Sequence, residues 1–347
     1  MKDETIRDNF LDACKNNYYI TARKIFEKYR RDYNGEGYLG NEQASNGHAA
    51  IHSACIKNHI EIIKFLIEKS VYLNIQTSNG KTPLMLSSNP EICELLVQAG
   101  ARIDTRDGRD LTALMYAADC GQIEKLKFLC DKGAKLNIQD SEGKTALMIA
   151  CLNGRSDIVE VLINESADLD IQSDLGITAL MHACSRNNFD IKIIALFIEK
   201  GANVNIQDAS GKTALEYACN RGNTQIAVLL INSGADYTLK NASGLSLWET
   251  EKDNIVIALI EKIELANTIS LGNQIKTPYL DNFQAIPVPA IKILSQEEIT
   301  HEAPFALIEE ADPKTKPSKP DVDFKTSDAK VWQQLNTAQH IDWAMGL

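Results

Sequence analysis

Residues 140–151 read DSEGKTALMIAC, and the same frame returns at residues 208–219 as DASGKTALEYAC. In the same frame, glycines recur at Gly47, Gly80, Gly143, Gly176, Gly211 and Gly244, in steps of 33, 63, 33, 35 and 33 residues. The step of 63 divides into units of 30 and 33, with Asp110 in the place of a glycine. A threonine stands two residues after the five inner positions, from Gly80 to Gly211 (Thr82, Thr112, Thr145, Thr178, Thr213), and a leucine two residues later again. A fixed period of about 33 residues marks an array of stacked repeats.

Within a unit, residues 143–151 open a short helix with small residues on its core face. SDIVEVLIN (156–164) makes a second helix, with Ile158, Val161 and Leu162 at i, i+3, i+4 spacing. ADLDIQSDLG (167–176) is polar and punctuated by glycine, which predicts an extended finger closed by a turn. One such unit cannot bury its apolar face alone, whereas a stack buries a continuous core. The fold expected is therefore all-α, a solenoid of six to seven units.

The pattern resembles the ankyrin repeat over roughly residues 46–240, on the strength of NGKTPLM (79–85), DSEGKTALMIAC and DASGKTALEYAC. The resemblance implies helix-turn-helix units with β-hairpin fingers. Residues 1–45 are expected to hold capping helices and a loop, and 46–267 the array. Residues 268–347 are expected to be a proline-rich tail ending in a short amphipathic helix. Two departures stand out: the second unit has lost three residues between Leu86 and Ile92, where Pro90 is expected to open a helix, and the fifth carries two extra residues. Both should change the local curvature.

Tempting chemistry is outweighed by packing. Cys55, Cys151, Cys184 and Cys219 share one repeat position, that of a small buried side chain, and buried thiols are inert. Met85, Met115, Met148 and Met181 form a second row, read as packing within the stack. His52 falls at the family's histidine position, which implies a structural hydrogen bond between units. The six histidines offer no metal-ligand spacing with the cysteines, and GKT lacks the upstream glycine of a phosphate loop. No catalytic, cofactor or metal residue is expected. The net charge of -11 argues against nucleic acid. No apolar run is long enough for a membrane helix, and the first fifteen residues hold no apolar stretch, so a Sec-type signal peptide is not expected.

The resemblance implies that another protein is held on the concave side, by finger tips and the exposed face of the first helices. The variable positions there are Arg109, Leu111 and Asp119 in the third unit, and Ser141, Glu142, Lys144 and Asn153 in the fourth. The fifth contributes Asp174, Leu175, Ile177 and Arg186, and the sixth Lys212, Asn220 and Arg221. Leu111, Leu175 and Ile177 are apolar where solvation favours polar groups: either they form interaction surface or they cover neighbouring fingers.

Seven of the nine prolines lie in the last 80 residues. Residues 328–345 place Val331, Trp332, Leu335, Ala338 and Ile341 at helical spacing, closed by Trp343, and read as a docking element. The function expected is a monomeric scaffold or adaptor; the alternative is a substrate-recruiting or regulatory subunit of an enzyme whose tail docks a second partner. A cytoplasmic setting is expected. The bias toward Asn, Ile and Lys resembles proteins of AT-rich intracellular bacteria, which implies an effector secreted into a host cytosol.

Overall fold

A computed structural model of the chain describes residues 2–32, 39–187 and 189–250. The proline-rich tail, with Trp332 and Trp343, lies outside the described residues. Helices α1 (Lys2–Lys15) and α2 (Tyr19–Asp32) come first among the described residues. Five regular or nearly regular pairs and one shortened pair follow. They are α3 (Ala50–Ile56) with α4 (Ile60–Glu68), and the shortened α5 (Pro83–Leu86) with α6 (Pro90–Gln98). Next come α7 (Ala113–Cys120) with α8 (Ile123–Asp131), and α9 (Ala146–Asn153) with α10 (Ser156–Asn164). Then follow α11 (Ala179–Cys184) with α12 (Ile191–Glu199), α13 (Ala214–Asn220) with α14 (Thr224–Asn232), and the single turn α15 (Leu247–Thr250).

Odd-numbered helices from α1 to α13 stack on one another as one layer, and even-numbered helices from α2 to α14 as a second. The core runs unbroken between the layers. Ala54, Cys55, Ala117, Ala118, Ala150, Cys151, Ala183, Cys184, Ala218 and Cys219 are all buried, because only small side chains let successive first helices approach. Burial pushes the Cys151 thiol well above its ordinary value of 9.0.

The threonine of each unit caps its first helix. Thr82, Thr112, Thr145 and Thr178 accept the N–H of the methionine three residues on, and Thr213 that of Glu216. Such a cap contributes about 1 kcal/mol. The methionine row has a second use: the sulfurs of Met85, Met115 and Met181 accept the threonine N–H at 3.3–3.5 Å. His52 does the same with Nδ1, accepting from Ala49, so its Nε2 carries the proton and donates to Ile75 in the next finger.

The fingers are reverse turns rather than long hairpins, since among the described residues only isolated bridges occur, Gln43 with Ala49 and Lys240 with Ser246. Side chains supply the cohesion that a ladder would. Gln139 donates to Gly143 O in its own finger and to Gln172 O in the next; Gln43, Gln76, Gln172 and Gln207 repeat the arrangement. A parallel row runs from Asn41, Asn74, Asp104, Asn137, Asp170 and Asn205, each accepting a backbone N–H of the following unit. Asp110 adopts φ +59 where its neighbours have glycine, a conformation aspartate tolerates.

At Gly143 (φ +74) the next finger comes so close that a Cβ would sit 2.6 Å from Asp174 N. Gly133 has a similar φ of +80 but open space around it. Gly133→Ala is therefore expected to cost only the left-handed penalty, about 1–2 kcal/mol. Gly143→Ala should lose roughly twice that, because the tip ladder must also part. Urea denaturation of the two variants measures the difference.

The shortened unit keeps its finger ladder and loses its turns from α5 alone. Asn89 accepts from Glu91 N–H and Pro90 takes the first position of α6, as expected of that proline. The chain leaves α5 at Ser87, whose ψ of 132 points Met85 O and Ser87 O away from any continuing helix. Lys125 from α8 meets both, with Nζ at 3.2 and 2.7 Å. It is 1% exposed and occupies the position that is Ile62, Ile92, Ile158, Ile193 and Ile226 in the other second helices. A buried ammonium here replaces the amide donors that the missing residues would have provided.

Candidate functional site

Residues at four repeat positions share one face: the finger tip, the residue after the tip glycine, the residue after the methionine row, and the end of each first helix. The third position was missed from sequence. It holds Tyr116, Ile149, His182 and Tyr217 on α7, α9, α11 and α13. Tyr116 donates its hydroxyl to Asp107 at 2.7 Å, and Tyr217 to Asp208 at 2.8 Å. Burial, then the bond to Asp107, pushes the Tyr116 phenol up to about 12. The Lys81 ammonium lies 4.7 Å from the centre of the Tyr116 ring, so a tip-following residue meets the first helix of the next unit. A legible signal did exist: tyrosine appears nine residues after an aspartate in the third and sixth units, and in neither neighbour of each.

These geometries match a known architecture. The family model for ankyrin repeats, in three copies, matches residues 10–107, 87–173 and 165–241. The chain belongs to the ankyrin-repeat family. Its fold is similar to the ankyrin repeat domain of Bcl-3, described as a unique member of the IkappaB protein family. The TM-score is 0.56 and the identity 28%, over 62% of this chain and all of that one. A mouse protein named fem-1 homolog A-like is 32% identical over 87 residues, and human ankyrin repeat and SOCS box protein 16 is 29% identical over 82. These matches take in 24% and 23% of this chain but only 13% and 18% of the relatives' lengths.

Within this ankyrin array the expected face residues divide by what they touch. Arg109 is exposed at its tip, and its backbone N–H donates to the Asp107 carboxylate that Tyr116 also binds. Ser141 and Asp174 are exposed, and use their amides to bind the preceding tips at Arg109 O and Glu142 O. Glu142 and Lys144 pair at 2.7 Å, which lowers the Glu142 carboxyl below its ordinary value. Asn153 donates to the Asp119 carboxylate at 2.8 Å, tying the ends of α9 and α7. Arg186 donates to Leu152 O and covers Gly154, so its guanidinium is engaged within the array. Lys212 is half-buried, and Asn220 and Arg221 are exposed at the end of α13.

The three apolar candidates part company. Leu111 and Ile177 pack against the core, while Leu175 is 66% exposed at its tip. Leu152, 40% exposed at the end of α9, joins it. The face thus carries cations (Lys81, Arg109, Lys144, Lys212, Arg221) beside exposed leucines. Among the described residues no cluster of His, Cys, Asp and Glu could hold a metal, and no helix is long and apolar enough to cross a membrane.

Proposed function

We propose that this chain is a protein-binding adaptor that engages its partner on the face shared by finger tips and first helices. The observation that carries the reading is the exposure of Leu152, Leu175, Arg109 and Arg221 on one face, on a scaffold whose remaining repeat positions are committed to packing and ladders. A rigid array with a variable, half-apolar face suits recognition of a surface by area and pattern. The Asn, Ile and Lys bias supports a host-cell setting, as a translocated effector.

Photo-crosslinking tests the reading. A benzophenone amino acid at Leu152 or Leu175 should give partner adducts in cell extract. One at Glu160, exposed on the outer helix α10, should give none. Adducts from position 160 with none from 152 and 175 would place the interface on the other layer.

A further inference from the structure

Three exposed arginines stand at the ends of successive first helices: Arg155 follows α9, Arg186 follows α11 and Arg221 closes α13. Arg155 reaches back one unit to donate to Asp119 O, and Arg186 donates to Leu152 O, the equivalent carbonyl one unit on. Each of these two guanidinium groups also lies against the glycine that ends the preceding first helix. A Cβ would come within 3.2 Å of Arg155 at Gly121, and within 2.9 Å of Arg186 at Gly154. Capping a last-turn carbonyl in this way uses one of five N–H donors and leaves the charge uncompensated. Among the described residues none of the three arginines forms an ion pair. The acids of the same loops are committed elsewhere: Asp119 accepts from the Asn153 amide, and Asp157 and Asp190 from the Ile158 and Lys192 N–H groups. An unpaired cationic row is out of keeping with a chain of net charge -11.

We propose that Arg155, Arg186 and Arg221 form a recognition strip for an acidic, extended segment of the partner protein, one carboxylate to each arginine. Packed helices lie about 8–10 Å apart, which sets the spacing from unit to unit. A polyproline II segment has three residues per turn and rises about 3.1 Å per residue, so every third side chain returns to one edge after about 9 Å. Carboxylates at i, i+3 and i+6 therefore match the strip. Leu152, 40% exposed in the same row, receives an apolar residue of that segment. Holding Arg155 and Arg186 against the array lowers the cost of ordering them on binding. Nucleic acid is the less favoured anion, because the exposed aromatic rings among the described residues, Tyr18 and Tyr72, lie in other units and offer the strip no stacking platform. This inference rests on the face proposed above as the interface.

Fluorescence anisotropy of the full chain with a labelled peptide of four Glu-Pro-Pro repeats tests it. Affinity should fall at least tenfold with Gln-Pro-Pro repeats, and several-fold when the same residues are reordered to set the glutamates side by side. Arg221→Gln, which removes no hydrogen bond of the array, should cost about fivefold, and Arg186→Gln as much. No binding of the Glu-Pro-Pro peptide, equal binding of either control peptide, or indifference to both arginine changes would overturn the strip. Equal competition by an oligouridylate of the same charge would overturn it in favour of nucleic acid. The face is judged separately, by the crosslinks from Leu152 and Leu175. Adducts that persist when both arginines are changed leave the face standing without the strip, and their absence from the parent chain overturns the face itself.

Discussion

Lys125→Met is expected to destabilise the array by about 2–4 kcal/mol in urea unfolding, because it leaves Met85 O and Ser87 O dry in the core. Two effects oppose each other at this site. Burial disfavours the ammonium and lowers the Lys125 pKa, with Cys93, Cys120 and Cys55 as the neighbouring titratable groups. Removing the charge relieves that strain, yet methionine offers no proton to either carbonyl. The orphaned acceptors outweigh the relief, since a buried pair broken from one side costs more than one never made. Ile158→Met at the same repeat position swaps one apolar side chain for another and should cost under about 1.5 kcal/mol. A three-residue insertion after Leu86, restoring the length of α5, supplies backbone donors and should erase most of the Lys125→Met penalty. If the double variant is as unstable as the sum of its parts, Lys125 does not compensate the deletion.

Acidification should weaken the fold between pH 6.5 and about 4. Burial lowers both His52 and His182 from 6.5 to about 4. For His182 the nearby Lys144 adds to this, and for His52 the hydrogen bond from its ring to Ile75 opposes it. With the folded pKa depressed, the unfolded chain binds the extra protons, so stability present above pH 6.5 is lost as pH falls. By pH 4.5 each histidine should account for roughly 2–3 kcal/mol. A protonated His52 also loses the Nδ1 lone pair that accepts from Ala49. Urea midpoints at pH 7.5 and 4.5 should therefore differ strongly in the parent chain, and less in His182→Phe. An unchanged pH dependence in that variant would show that His182 titrates normally in the folded state.

How much of this could be read from residues alone depends on how far apart the determinants lie. The tip glycines, capping threonines and small core residues are local and repeated, so the period exposed the family, the helix pairs and the aspartate at position 110. Leu111 and Ile177 were ambiguous because exposure of a single apolar residue depends on the next unit's packing, which the one-dimensional pattern does not contain. Arg186 is exposed, but the hydrogen bond that engages its guanidinium is not legible in the sequence, because its carbonyl partner, Leu152, lies 34 residues away.

The repeat, its caps and the two irregular units are legible in the residues, because they follow from short-range spacing and conformational preference. That the lysine at an isoleucine position satisfies a truncated helix, and that His182 is buried with its Nε2 unpartnered, emerges in three dimensions alone. Both depend on hydrogen bonds made, or left unmade, between neighbouring units, and stacking alone brings those groups within reach.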